Sequence, residues 1–292
     1  MPDLARKTVS ATEAPALWNV SPYLTRWMLY KRFHDGMNVD SAPDERMSWG
    51  TKMEPLLLEQ ASHDLKMEVI PNKGDRTYVR RGLLGCTRDA TVICPDRGPG
   101  TLETKCVFDY RTWMANWAGG EAPPRHYEIQ TQVQMLVGDA EPYKWGVIAA
   151  WVAGEMHYFE RAPIPDLWSS LETEAAAFFA SVKDGEEPDP FGHPVEIPAL
   201  GLIERDAQKI MLSNDADLGR MAMAYAEAGE IVSGANKRRE EIKAKLLAAA
   251  GDAEVLKLPG ATVTVKQQKR GAYSVAATAF AVVKVRVEGD GE

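Results

Sequence analysis

Apolar positions along the chain change their period several times, and each change marks an element. Thr12 to Leu17 and Pro22 to Phe33 read as two short helices around the turn Asn19-Val20-Ser21-Pro22. Arg46 to Ser62 reads as a longer helix, and Pro55 inside it predicts a kink or a late start. From Met67 to Val107 the pattern turns to strands: Glu68-Val69-Ile70, Thr77 to Leu84, Ala90 to Cys94 and Gly100 to Val107. Pro95-Asp96-Arg97-Gly98-Pro99-Gly100 is turn chemistry between the last two. A helix follows from Arg125 to Leu136, then strands from Lys144 to Val152 and Glu155 to Ala162. Asp166 to Lys183 is an amphipathic helix with Leu167, Leu171, Phe178 and Val182 on one side. Trp113 and Trp117 read into a loop, where nucleic-acid bases could stack on them.

Pro188 to Pro198 holds four prolines and reads as a boundary. Residues 1–190 are expected to form an α/β core, a mixed sheet flanked by helices, with residues 199–292 as an appendage. In that appendage Leu218, Met221, Tyr225, Ala228, Val232, Ala235, Ile242 and Leu246 recur at steps of three, four or seven. They predict one long helix with a narrow seam suited to packing on another helix. Ala261 to Lys266 and Tyr273 to Arg286 read as a small closing β unit.

With 292 residues, 45% hydrophobic and 26% charged, the composition is that of a globular chain and excludes disorder. The longest nearly apolar run, Trp145 to Ala153, is too short to span a bilayer, so no membrane partner is expected. Met1 to Ser10 is polar with no apolar leader, and Cys86, Cys94 and Cys106 form no C-x-x-C pair. The expectation is a cytoplasmic protein. The net charge of −8 is unevenly spread. Lys237 to Glu292 carries 11 basic and 7 acidic residues, and no acid lies between Lys257 and Arg286. Such a stretch suits phosphates, although a solvated hairpin has the same signature.

The chemistry concentrates in Arg88-Asp89-Ala90 and Leu102-Glu103-Thr104-Lys105. Residues two apart on a strand share a face, so Glu103 and Lys105 project together. The intervening turn folds this strand back beside the one that starts at Asp89, bringing a second carboxylate to the first. Two carboxylates and the Thr104 backbone carbonyl are hard oxygen ligands suited to Mg²⁺ or Mn²⁺. A lysine beside such an ion can orient or deprotonate an attacking water.

Two flanking segments extend the pattern: Trp49-Gly50-Thr51-Lys52-Met53-Glu54-Pro55 and Tyr127-Glu128-Ile129-Gln130-Thr131-Gln132-Val133-Gln134-Met135. With Ser10-Ala11-Thr12-Glu13-Ala14 and Ser21-Pro22-Tyr23 ahead of them, the ordered set resembles the YqaJ-like viral recombinase and lambda-exonuclease family of the PD-(D/E)XK nuclease superfamily. The resemblance covers about Val9 to Arg161 and implies the restriction-endonuclease-like core. It implies Asp89 and Glu103 as shared metal ligands, Glu54 as a ligand of a second ion, Lys105 as the catalytic lysine, and Gln130 as the helix glutamine that contacts the site. Taken without the resemblance, Gln130, Gln132 and Gln134 read as a polar helix face. Thr12 and Arg6 stand near where relatives hold a 5′-phosphate, with Arg6 one residue out of register. Arg88-Asp89-Ala90 replaces the family's usual Pro-Asp-Gly. Lys266, Lys269 and Arg270 resemble the basic hairpin of phage members and are candidate DNA contacts.

The activity so implied is a Mg²⁺-dependent 5′-to-3′ exonuclease of phage or prophage origin, acting on double-stranded DNA ends with two ions per site. It would leave 3′ tails for a single-strand annealing protein, and a homotrimeric ring is implied by analogy. Some relatives hold an iron–sulfur cluster through four cysteines, and three do not supply that set, so none is expected. An endonuclease or 3′-directed nuclease on the same core, and a non-catalytic DNA-binding scaffold, are the alternatives.

Overall fold

The computed structural model describes residues 8–39, 45–72, 78–203 and 209–266. It divides into two compact units, Met1–Leu200 and Gly201–Glu292. The first opens with β1 (Val9–Ser10) and a 3₁₀ turn at Ala14–Trp18, followed by α1 (Arg26–His34) and α2 (Glu45–Leu65). Then come β2 (Glu68–Pro71), β3 (Val79–Arg81), β4 (Leu84–Cys86), β5 (Ala90–Cys94) and β6 (Gly98–Val107). α3 (Tyr110–Asn116), α4 (Arg125–Val137), β7 (Gly146–Val152), β8 (Glu155–Arg161), α5 (Pro165–Asp184) and α6 (Ile197–Gly201) complete it.

Five strands form the main sheet in the order β2-β5-β6-β7-β8, and β6 and β7 are its parallel pair. A parallel connection needs a crossover, and α3 and α4 supply it, which lays α4 over the sheet. Strand β7 is covered on both sides, which explains its unbroken apolar run. Val147 and Ala149 pack with Leu58 and Ala61 of α2, while Ile148, Ala150 and Val152 pack with Trp113 and Trp117. A smaller sheet, β1-β4-β3, joins α1 and α5 in a third packed region, where Leu171, Ala175 and Phe178 are fully buried.

Several elements differ from the pattern-based expectation. Helix α1 starts at Arg26 rather than Pro22, because the Thr25 hydroxyl caps it by accepting from the Met28 amide at 3.3 Å. Thr12 to Leu17 shrinks to the 3₁₀ turn, closed by Asn19 in the left-handed conformation. Helix α2 runs through Pro55, which lies on its exposed side. The run Thr77 to Leu84 is two strands, β3 and β4, split by a two-residue turn whose first residue, Gly82, has φ +57°. Trp113 and Trp117 do not lie in an open loop. They are 4% and 2% exposed and stack on each other at 5.3 Å, so they are core rather than base platforms.

The second unit holds α7 (Ala216–Ala250) and a hairpin of β9 (Val255–Leu258) and β10 (Ala261–Thr264). Asp215 caps α7, accepting from the amides of Asp217 and Leu218 at 2.8 and 3.2 Å. The expected strand from Ala261 is β10, but its partner β9 lies upstream of it, and the proposed strand Tyr273 to Arg286 lies outside the described residues. No described helix is long and apolar enough to cross a membrane.

Candidate active site

The β5–β6 hairpin aligns Ala90 with Leu102, so one step further Asp89 stands level with Glu103. Asp89 is held from three directions. Its Oδ2 accepts from the Thr104 amide and hydroxyl, each at 2.8 Å. Its carbonyl accepts from the Asn72 amide at 2.9 Å, at the end of β2. Its neighbour Arg88 is buried, donates to the Gly138 carbonyl at 2.8 Å, bonds Asp139 and lies 5.0 Å from the Tyr143 ring. That anchor needs a tight turn after α4. Gly138 supplies it at φ +52°, where a Cβ would strike the Glu141 carbonyl oxygen at 2.0 Å. Arg88 thus fixes the entry to β5 by side-chain bonds.

Glu103 is 4% exposed, and both its oxygens are used. Oε1 accepts from Lys105 Nζ at 2.5 Å and Gln130 Nε2 at 2.6 Å. Oε2 accepts from Gln134 Nε2 at 2.6 Å, and the Gln134 carbonyl oxygen accepts from the Thr101 hydroxyl at 2.9 Å. A buried carboxylate needs such donors. Helix α4 provides two of them because residues four apart share a face. Gln132, between them in sequence, points the other way. It donates to Glu128 and the Ala162 carbonyl, and accepts from the Ile164 amide and the Trp168 indole.

The polar-face reading of these glutamines is therefore overturned, since every residue from Ile129 to Val137 is buried. Gln134 is the site residue that sequence reasoning missed. Its position one turn after Gln130, in a helix crossing a sheet with a buried Glu, was the available signal. The two roles separate experimentally. Gln134→Leu strips a donor from Glu103, with an expected loss of about 1–3 kcal/mol in urea unfolding together with turnover. Gln132→Leu is expected to lose comparable stability while the folded fraction keeps its activity.

Charge balance in the site is set by burial. Asp89's carboxyl is pushed up from 3.8 to about 7, first by desolvation and then by the facing Glu103 charge, with a smaller contribution from Glu54 on α2. Burial alone would lower the Lys105 ammonium's pKa, but Glu103, Tyr127 and Asp89 outweigh it and hold it protonated. Lys105 Nζ also sits 4.6 Å from the Tyr127 ring centroid, a cation–π contact that fixes it from the side away from the sheet. His126 next to it is driven down to about 4 by burial and by the Lys105 charge, so it is neutral at pH 7.

The donor set fits a hard divalent cation: two crowded carboxylates, one of them raised by the other, gain from a positive charge between them. Among the described residues no three His, Cys, Asp or Glu side chains form a metal-holding cluster. Asp89 and Glu103 are the two candidate ligands that the hairpin brings level, a number compatible with Mg²⁺, whose sites are often completed by water and substrate. Thr104 enters through its amide and hydroxyl. Thr12 is exposed, while Arg6, Lys269 and Arg270 lie outside the described residues and Lys266 lies just beyond β10.

Residues 3–141 match the model of the YqaJ-like viral recombinase domain. The motifs from Ser10 to Met135 fall within this matched segment. Among solved structures, the exonuclease LHK-Exo in complex with dAMP is similar at 19% identity and TM-score 0.50, over 62% of this chain and 91% of that one. The alkaline exonuclease LHK-Exo from Laribacter hongkongensis aligns at 19% identity and TM-score 0.47, over 62% and 91%. A phage-related exonuclease from Haemophilus somnus 129PT aligns at 13% identity and TM-score 0.46, over 61% and 94%. The first of these likenesses shows a shared fold. No curated protein matches the chain.

Proposed function

We propose that the chain is a Mg²⁺-dependent nuclease that degrades the 5′-ended strand of linear double-stranded DNA from its ends. The observation that carries this is the grouping of Asp89, Glu103, Lys105 and Gln130 on the hairpin and crossover helix, within a segment of the YqaJ-like family. Asp89, Glu103 and the Thr104 carbonyl would hold Mg²⁺ or Mn²⁺, and Glu54 would serve a second ion. Bound there, the metal supplies Lewis-acid stabilisation of the phosphoryl oxygen and a more acidic water. The chain's own residues do the rest. Lys105, held as an ammonium, donates to the attacking water or to a phosphate oxygen, while Gln130 and Gln134 keep Glu103 in one orientation.

The products would be 3′ single-stranded tails for an annealing protein, in the cytoplasm of a bacterial host. A linear duplex labelled separately at each 5′ and 3′ end, incubated with and without Mg²⁺, tests the polarity. Early release of the 5′ label only with Mg²⁺ is the expected result, and early release of the 3′ label would reverse the proposed direction. The basic segment including Lys266, Lys269 and Arg270 is proposed to grip the duplex. Reversing these three charges is expected to lower the salt slope of binding by about one unit per lost phosphate contact. An unchanged slope would leave a solvated hairpin.

A further inference from the structure

Tyr23, the last residue of Ser21-Pro22-Tyr23, is 66% exposed, yet the loop that carries it is held at both ends. The Asn19 side chain accepts from the Arg26 amide at 2.7 Å, and the Arg26 guanidinium donates to the Leu17 carbonyl and to Glu174. The Ser21 hydroxyl accepts from the Tyr23 amide at 3.2 Å, a side-chain turn that Pro22 stiffens by fixing its own φ. At the far end the Thr25 hydroxyl caps α1 and donates to Glu196, which is fully buried. So firm a mount for a side chain that buries little of itself points to a task other than packing.

The contacts of the ring show where that task lies. Tyr23 meets the edge of His126 at 5.9 Å and an interplanar angle of 87°, and its hydroxyl shares a hydrogen bond with that of Tyr127. Tyr127 stands in the first turn of α4, between His126 at 4.0 Å and Trp117 at 5.5 Å, with Lys105 Nζ 4.6 Å from its ring centroid. Burial, with a smaller contribution from Tyr23, pushes the Tyr127 hydroxyl up to about 12 against the opposing Lys105 charge. It is therefore a neutral phenol, and a buried one needs a hydrogen-bond partner. His126 and Trp117 pack on the ring, and Tyr23 holds its hydroxyl.

We infer that Tyr23 is a positioning residue for Lys105, acting through Tyr127. A four-carbon lysine stem leaves the ammonium many positions, and Glu103, its hydrogen-bond partner, is also a candidate metal ligand. The Tyr127 ring is the contact that the ammonium need not share, and cation–π attraction acts only while the ring faces Nζ. A hydroxyl bond to an anchored loop sets the tilt of that ring.

The inference rests on the nuclease reading for its effect on turnover, but not for the contact itself, and the two are read separately. Tyr23→Phe and Tyr127→Phe each remove the same hydrogen bond and keep both rings. Each is expected to lower kcat on a linear duplex with Mg²⁺ about tenfold, with KM within about twofold of wild type, the scale of one lost hydrogen bond. The double variant should be no slower than either single one, and Tyr23→Phe should not slow the residual turnover of Lys105→Ala further. Independently of catalysis, ¹³C-labelled lysine gives NMR signals of the Lys105 ε-methylene, assigned by their loss in Lys105→Ala and displaced upfield by the facing ring. Tyr23→Phe is expected to move them toward the values of solvated lysines. Unmoved signals overturn the inference whether or not the wild type cleaves DNA. An effect of Tyr23→Phe confined to KM, or of equal size in the Lys105→Ala background, also overturns it and marks Tyr23 as a direct DNA contact. Shifted signals in a protein without Mg²⁺-dependent cleavage would overturn the nuclease reading and leave the positioning contact standing.

Discussion

Glu103→Gln and Asp89→Asn are each expected to reduce the proposed Mg²⁺-dependent cleavage to background, while the protein stays folded. Each substitution keeps the side chain's shape and removes one of the two anionic ligands of the proposed ion, leaving a single carboxylate to hold a divalent cation. Near-wild-type cleavage by either variant would remove that residue from the site. A second measurement reads the same carboxylate pair without catalysis. In the unfolded chain Asp89 ionises near 3.8, and in the folded protein near 7. As pH rises through that window the unfolded state loses its proton first, so the metal-free protein loses stability with rising pH. Asp89→Asn removes this term. In the presence of a chelator its melting temperature at pH 7 should exceed that of the wild type, and the difference should vanish below about pH 4. A variant less stable than the wild type at pH 7 would show that the Asp89 carboxylate stabilises the empty site.

Lys105→Ala is expected to slow turnover by about 10²-fold or more with DNA binding largely retained, the scale for a positioned electrostatic or proton-transfer group. The ammonium touches Glu103 and faces the Tyr127 ring, so its position is set from two sides. Lys105→Arg should recover little, because a planar guanidinium does not reproduce the contacts of a compact ammonium with Glu103 and the Tyr127 ring. Single-turnover rates and binding constants on the same duplex separate the possibilities. Equal losses in both would make Lys105 a phosphate clamp.

That Asp89 and Glu103 stand side by side was legible in the sequence because the arrangement is local. A proline- and glycine-rich turn joins β5 to β6, and the two-residue period then fixes which side chains share a face. Gln130 was legible only through the family's motif order. Gln134 was not, since a glutamine on a helix looks solvated until the helix is known to lie across a buried carboxylate. The same limit explains the tryptophans. Trp113 and Trp117 sit in the connection between parallel strands, and no local period reports that such a connection is covered by Phe159 of β8. Arg88 read as a departure from the family pattern, and its compensating contacts come from residues 138, 139 and 143, far along the chain.

The crossover between β6 and β7 also has a consequence for synthesis on the ribosome. The carboxylates are separated by a short hairpin and emerge together, but both glutamine donors to Glu103 arrive only with α4. Strand β7, which closes the sheet beside β6, emerges later still. A nascent chain ending before Gln130 carries the acidic pair without either glutamine donor to Glu103, and burying that charge is then unfavourable, so the open state is favoured until α4 has been made.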